Sequence, residues 1–147
     1  MERARETAAP LAQTVWSDLG VCAAINEIDS GAWTGRTFSD LDANEEQWRR
    51  FNRFRSATPI PGGEWMVEVQ ARFVGEMLRL HERFPDERIA LVSHAGPIKL
   101  ALAYFLGVPV DFYDRIEVGL ASVSVVALAP WGAKILRLND GTATVES

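Results

Sequence analysis

The sequence is poor in the residues that build disulfides and metal centres, with one cysteine and two histidines among 147 residues. Cys22 alone cannot form an internal disulfide. His81 and His94 are too few to form, with it, a cluster typical of zinc sites. We therefore expect no disulfide, no bound metal and no cofactor.

Long apolar runs and a basic excess are also missing. The most apolar segment, residues 98–110, is interrupted by Lys99, Gly107 and Pro109, whereas a membrane span needs about 20 apolar residues. The first residues do not follow the pattern of a signal peptide. A net charge of −5 gives no overall attraction to nucleic acid or anionic lipid. We expect a soluble, cytoplasmic protein that binds neither membranes nor nucleic acid.

What is present is enough apolar material for a buried core, since 48% of the residues are hydrophobic. This proportion and the chain length predict one domain over residues 1–147. Apolar periodicity and turn residues predict an alternation of helices and strands. The predicted elements are a helix over residues 1–16, a short β-like run before the glycine-rich loop at 26–35, a helical excursion within 40–60, a helix over 65–84, a strand over 88–94, a helix over 95–107, and strands over 122–130 and 133–139.

The helical excursion carries arginines interleaved with aromatic residues. The arginines are Arg49, Arg50, Arg53 and Arg55. The favoured interpretation is an amphipathic surface helix with solvated guanidinium groups. A basic rim that recruits an anionic substrate is the open alternative.

His94 has the position that is richest in chemical meaning. It ends the predicted strand "RIALVSH" and precedes a helix with Pro97 in its first turn. The carboxyl end of a strand next to a helix N-terminus is a common place for anion binding in open α/β sheets, because the first backbone amides of the helix are free to donate. A lone histidine can equally be structural. His81, in the last turn of the predicted helix over 65–84, is interpreted as a surface residue that suits the helix dipole.

Four motifs in order carry a resemblance to a known family. They are "RARETA", "NEIDSGAWTG", "PGGEW" before a long helix, and "LVSHAGPIK". Together they resemble the histidine phosphatase superfamily, with its phosphoglycerate mutase-like fold, and most of all small bacterial phosphatases of the α-ribazole phosphatase type. The resemblance implies a three-layer α/β/α domain with a mostly parallel sheet flanked by helices.

The resemblance also implies a phosphohistidine mechanism on a small phosphorylated metabolite, by a phosphatase or a mutase. Arg3 matches the arginine that clamps the phosphoryl oxygens, and His94 matches the second pocket histidine, with the amide of Ala95 beside it. Glu27 matches the acid that protonates the leaving group. Bidentate guanidinium contacts and an imidazole donor suit the charge of a phosphoryl transition state. The alternatives are a surface arginine for Arg3, a loop carboxylate for Glu27 and, for Glu64, an acid in a first helical turn.

The sequence departs from the family pattern in one decisive respect. The family opens with a strand that ends in Arg-His-Gly, whose histidine is the nucleophile, and no such motif occurs here. We expect an N-terminally incomplete domain, missing the first strand and inactive as given. A truncated reading frame, a remnant that binds phosphate without turnover, and a chain completed by another polypeptide are the competing explanations. The missing strand would leave unpaired backbone, so homo-oligomerisation is possible. The alternative function is a noncatalytic domain for phosphate-ligand binding or interaction.

Overall fold

The computed structural model describes residues 2–15 and 18–141. Its helices and strands are α1 (Glu2–Thr14), α2 (Phe38–Asn44), α3 (Glu46–Arg53), α4 (Met66–Arg83), α5 (Ala95–Leu106), β1 (Val123–Ala129) and β2 (Gly132–Asp140). All the predicted helical segments form, the excursion as two short helices. Met1 and Trp16, within the predicted first helix, lie outside the described residues.

Helices α4 and α5 form the centre of the core. Met66 and Val69 of α4 and Leu100 of α5 are almost completely buried. Burial of each such side chain stabilises the fold by about 1.5–3 kcal/mol. The side chain of Gln70 adds a polar link between the helices, donating to the carbonyl of Leu100 over 2.8 Å. Helix α5 ends at Gly107, whose φ of 68° is the left-handed conformation that glycine adopts at low cost.

The two predicted C-terminal strands form an antiparallel hairpin. Val126 of β1 is aligned with Ile135 of β2, and both side chains pack against a cluster that contains Leu102 of α5. The hairpin thus covers α5 with one of its faces. No helix among the described residues is long and apolar enough to cross a bilayer.

The predicted strand over residues 88–94 does not join a sheet. These residues form neither a helix nor a strand, and no described backbone hydrogen bond pairs them with another strand. Ile89, expected to be buried, is 42% exposed. A strand is stabilised by a neighbour that satisfies its peptide groups, and nothing in residues 18–141 provides one here.

The β-like run before the glycine-rich loop is wrong for the same reason. Residues 18–22 pair with no strand in the described part of the chain, which then forms a short 3₁₀ helix at Ala23–Ile25. Val21 is 61% exposed. The sheet of the described chain is the β1–β2 hairpin, so the expected parallel strands are not formed within it.

Candidate active site

His94 is placed by the start of α5. It is the residue that precedes the first helical turn, in an extended conformation, and its side chain is only 12% exposed. The hydroxyl of Ser93, next to it, donates to the carbonyl of Ile25 over 2.6 Å. This bond fixes the end of the extended segment against the loop that carries Glu27.

Glu27 meets His94 across the site. Its Oε2 lies 3.4 Å from Nδ1 of His94, and its Oε1 accepts the amide of Ile28 over 3.0 Å. The Glu27 side chain is 46% exposed, so one side of the pair faces solvent. Two of the residues predicted for the site, on the loop and at the helix, are therefore neighbours.

The first turn of α5 supplies backbone donors next to the pair. The amides of Ala95 and Gly96 have no backbone partner among the described residues, as expected at a helix start. Gly96 lies close to the Glu27 loop: a Cβ there would lie 2.8 Å from Cδ1 of Ile28, which is the flexible end of that side chain.

The Nε2 atom of His94 is buried without a hydrogen-bond partner in the described structure. Most buried polar atoms are paired, so an orphan atom calls for an explanation. In a neutral imidazole one nitrogen donates and the other accepts. With the ring proton on Nε2, this buried atom is available as a donor to an anion.

Arg3 is not brought to this pair. It lies exposed on α1, where its carbonyl accepts a bond of 2.9 Å from the hydroxyl of Thr7. No described contact joins its guanidinium to Glu27 or His94. The phosphate-clamping role of Arg3 remains a prediction from the resemblance.

Glu64 is not a first-turn helix acid, since α4 begins at Met66. Its carboxylate receives two bonds from Arg72, at 2.8 Å and 2.9 Å. These bonds, followed by the amide of Asp29, hold the pKa of the Glu64 carboxyl below its usual value against the opposing effect of burial. Sequence reasoning missed Arg72, because a spacing of eight residues across a helix start matches no helical pair rule.

Tyr113, in the turn Val110–Arg115, is a second residue that the sequence did not reveal. Burial is the main cause of a raised pKa for its phenol, with the charges of Asp114 and Glu27 acting in the same direction and that of Arg55 opposing it. Tyr113 therefore lies within electrostatic reach of the Glu27 carboxylate.

The arginine-rich excursion divides into two parts. Arg49, Arg50 and Arg53 are exposed and line a surface hollow of about 430 Å³. Arg55 is buried and pairs with Asp114 at 3.1 Å. Neither Glu27 nor His94 lines that hollow, so the basic rim is separate from the pair.

Across residues 2–15 and 18–141, no group of three or more histidine, cysteine or acidic side chains is arranged to hold an ion. The Glu27–His94 pair offers a carboxyl group, an imidazole and the adjoining backbone amides.

Comparison with known proteins shows the family and the fold. The profile of the histidine phosphatase superfamily (branch 1) matches residues 1–141. A bifunctional protein of Mycobacterium tuberculosis is 32% identical over 143 residues, covering 97% of this chain and 39% of that protein. Phosphoserine phosphatase 1 of Hydrogenobacter thermophilus is 28% identical over 116 residues, covering 78% of this chain and 55% of that enzyme.

Solved structures show the same fold. The α-ribazole phosphatase of Shigella flexneri superposes with a TM-score of 0.84 at 24% identity, covering all of this chain and 73% of that one. A mycobacterial glucosyl-3-phosphoglycerate phosphatase, solved with inorganic phosphate, gives a TM-score of 0.78 at 26% identity, covering 97% of this chain and 75% of that one. The chain belongs to the histidine phosphatase superfamily and has its α/β, phosphoglycerate mutase-like fold. It spans only about 40 to 55% of the curated relatives described above.

Proposed function

We propose that this chain forms the acid and imidazole half of a phosphomonoesterase site that acts on a small phosphorylated metabolite. Glu27 is the proton donor to the leaving group. His94 donates from Nε2 to a phosphoryl oxygen, and the amide of Ala95 adds a second donor. Arg3 is the arginine that clamps the phosphate once α1 and the pair face the same ligand.

The buried, unpartnered Nε2 of His94 is the observation that carries the proposal. A phosphate oxygen would satisfy this atom, and the adjoining helix N-terminus favours the same negative charge. A neutral imidazole whose ring proton is on Nε2 offers that proton to the phosphate, while its Nδ1 lies 3.4 Å from Oε2 of Glu27. When Glu27 rotates to protonate the leaving oxygen, the developing charge is neutralised where it forms.

The nucleophile is not supplied by the two histidines of this sequence. His81 lies in the last turn of α4, and His94 occupies the second-histidine position. The chain by itself therefore binds phosphate without forming a phosphohistidine. This departure also favours the second candidate, a noncatalytic domain that binds a phosphorylated ligand.

Phosphate binding is tested by nuclear magnetic resonance, because the chain has only two histidine rings to observe. Titration with inorganic phosphate should shift the Cε1–H signal of His94 and leave that of His81 in place. The variant His94→Asn should abolish the response detected through the remaining backbone signals of Ala95 and Gly96. If the His94 signal does not shift at phosphate concentrations up to about 50 mM, the site is excluded. A Kd above that concentration corresponds to a binding free energy weaker than about 2 kcal/mol.

Hydrolysis separates the two candidates. The substrate p-nitrophenyl phosphate should remain intact with the chain as given and be cleaved when an upstream strand that ends in Arg-His-Gly is added. Glu27→Gln in the extended protein should lower turnover of an alkyl phosphate by about 100-fold, in line with the loss of a general acid. A nitrophenolate leaves without a proton, so p-nitrophenyl phosphate should be affected much less. Phosphate binding with no hydrolysis in either protein would support the binding domain.

A further inference from the structure

The loop that carries Glu27 is held by one arginine of the neighbouring helix. Nη1 of Arg72 donates to the carbonyl of Ala24 over 2.8 Å, and Nη2 donates to the carbonyl of Glu27 itself over 3.2 Å. The same guanidinium also donates two hydrogen bonds to the carboxylate of Glu64. Arg72 thus bonds to the backbone of the residue whose side chain meets His94.

Glu64 extends this connection to the far side of the loop. Its Oε2 accepts the amide of Asp29 over 3.0 Å, and its own amide donates to the carbonyl of Asp29 over 3.1 Å. The loop is therefore attached on both sides of Glu27, at Ala24 and at Asp29. The Arg72 and Glu64 side chains are 21% and 27% exposed, which limits the competition from water for these bonds.

The polar contacts are matched by a close backbone approach. A Cβ on Gly63 would lie 2.3 Å from the carbonyl oxygen of Asp29. The segment before α4 therefore touches the loop directly, and Arg72 lies on the adjoining helix. The loop and the segment before α4 are therefore joined by a direct backbone contact as well as by side-chain bonds.

We propose that Arg72, oriented by Glu64, is the positioning residue for the general acid, setting the distance between the Glu27 carboxyl group and His94. The role of Arg72 in catalysis rests on the proposed function, in which Glu27 is the general acid. Arg72 does not touch the reacting atoms. It acts through the Ala24 and Glu27 carbonyls, which it fixes in one place with a planar fork of donors that a lysine cannot reproduce.

The test uses the chain as it exists and needs no turnover. The variant Glu27→Gln should shift the Cε1–H signal of His94, because it changes the group that faces Nδ1. In an Arg72→Met background the released loop no longer holds residue 27 at this distance. The Glu27→Gln substitution should then cause less than a third of the shift that it causes in the unchanged protein.

Arg79→Met is the matched control. Arg79 lies on the same helix and makes a paired contact with Glu76, but it has no described bond to the Glu27 loop. In the Arg79→Met background Glu27→Gln should cause the full His94 shift. The signal of His81 reports any general change in α4. A full His94 shift in the Arg72→Met background, or an equal loss in the Arg79→Met background, would overturn the proposal.

A second variant covers the case in which Arg72→Met does not fold. Glu64→Gln keeps the shape of the side chain but removes the charge that orients the guanidinium, so the His94 shift on Glu27→Gln should fall to an intermediate value. Arg72→Lys should recover less than half of the lost shift. Full recovery by lysine would show that charge alone is sufficient and would also overturn the proposal.

The outcome is separable from that of the proposed function. Without phosphate, the His94 shift on Glu27→Gln measures only the geometry of the pair. A protein that binds no phosphate but shows the predicted dependence on Arg72 would retain the positioning device and lose the proposed function. A protein that binds phosphate at His94 with an unchanged shift in Arg72→Met would do the reverse.

Discussion

The loop that carries Glu27 and the segment 88–93 that leads to His94 meet at the same site, but the loop is held by many hydrogen bonds and the segment by few. The loop is bonded to the chain before α4 from both sides, including the bond of 2.8 Å from the amide of Ala32 to the carbonyl of Pro61. The segment 88–93 pairs with no strand among the described residues; it is attached by the Ser93 hydroxyl and by the packing of Leu91 against a buried cluster that contains Phe73. The comparison shows that the pair is ordered by loops and helices that pack on α4 and α5, and not by a sheet.

Amide hydrogen exchange should show the largest difference between the two regions. The amides of Arg88–Ser93 should exchange at nearly the rate of an unfolded chain. Those of Leu100–Ala103 in α5 should exchange at least about a thousandfold more slowly, because their opening requires global unfolding. Strong protection throughout Arg88–Ser93 at all protein concentrations would contradict the conclusion that the backbone of this segment is unpaired. Protection that grows with concentration would instead reveal strand pairing between copies.

The contact between the Glu27 loop and the segment before α4 should be disrupted by a single added methyl group. Gly63→Ala places a Cβ 2.3 Å from the carbonyl oxygen of Asp29, and backbone on both sides must move. We expect a loss of about 2–3 kcal/mol in the free energy of unfolding, measured by urea denaturation. Gly75→Ala is the control, since its Cβ meets nothing within 4 Å and helix propensity should raise stability by about 0.5–1 kcal/mol. Equal effects of the two substitutions would show that the loop junction is not tightly packed.

The one described hydrogen bond of the segment 88–93 should have a smaller effect when it is removed. Ser93→Ala removes the donor to the carbonyl of Ile25 at 2.6 Å. It should cost about 1 kcal/mol of stability, the usual contribution of a hydrogen bond. Ser39→Ala is the control, because Ser39 is exposed on α2 and makes no described side-chain bond. A loss below about 0.3 kcal/mol for Ser93→Ala would mean that α5 alone places His94.

The difference between the regions also explains what the sequence predicted. The long helix α4, helix α5 with Gly107 at its end, and the two C-terminal strands follow from local periodicity and turn residues, and all are confirmed. That the two strands pair as a hairpin is added by the structure. The segment 88–93 reads as a buried strand because its residues are apolar, yet a strand depends on a partner that local pattern does not contain. Ile89 is exposed for that reason.

The site was partly predictable for a similar reason. His94 could be located because a strand-like run followed by Pro97 marks a helix start, and the family motifs pointed to Glu27. The contact between these two residues is a tertiary fact that the structure adds. Arg72 could not be found, since its partners include backbone carbonyls, which have no identity in a sequence.

The smallest expected effect concerns the pH dependence of the bonded region. Arg72 holds the pKa of the Glu64 carboxyl below the ordinary 4.5. A carboxyl whose pKa is lower in the folded than in the unfolded chain contributes stability that is fully present above pH 4.5 and is lost as the pH falls through the folded value. Stability measured by urea between pH 6 and about pH 3 should therefore fall less steeply in Arg72→Met than in the unchanged protein.

Glu76 of α4 tests whether the change in the acid slope is specific to the Glu64–Arg72 pair at the Glu27 loop or common to any carboxylate paired with an arginine. Arg79 lowers the pKa of Glu76 in the same way, so Arg79→Met should also flatten the acid slope. Only Arg72→Met should, in addition, speed amide exchange at Ile28 and Asp29 as the loop is released. If both variants flattened the slope and neither changed exchange in the loop, Glu64 and Arg72 would be an ordinary ion pair, and the contrast between a bonded and an open approach to the site would rest on the glycine contacts alone.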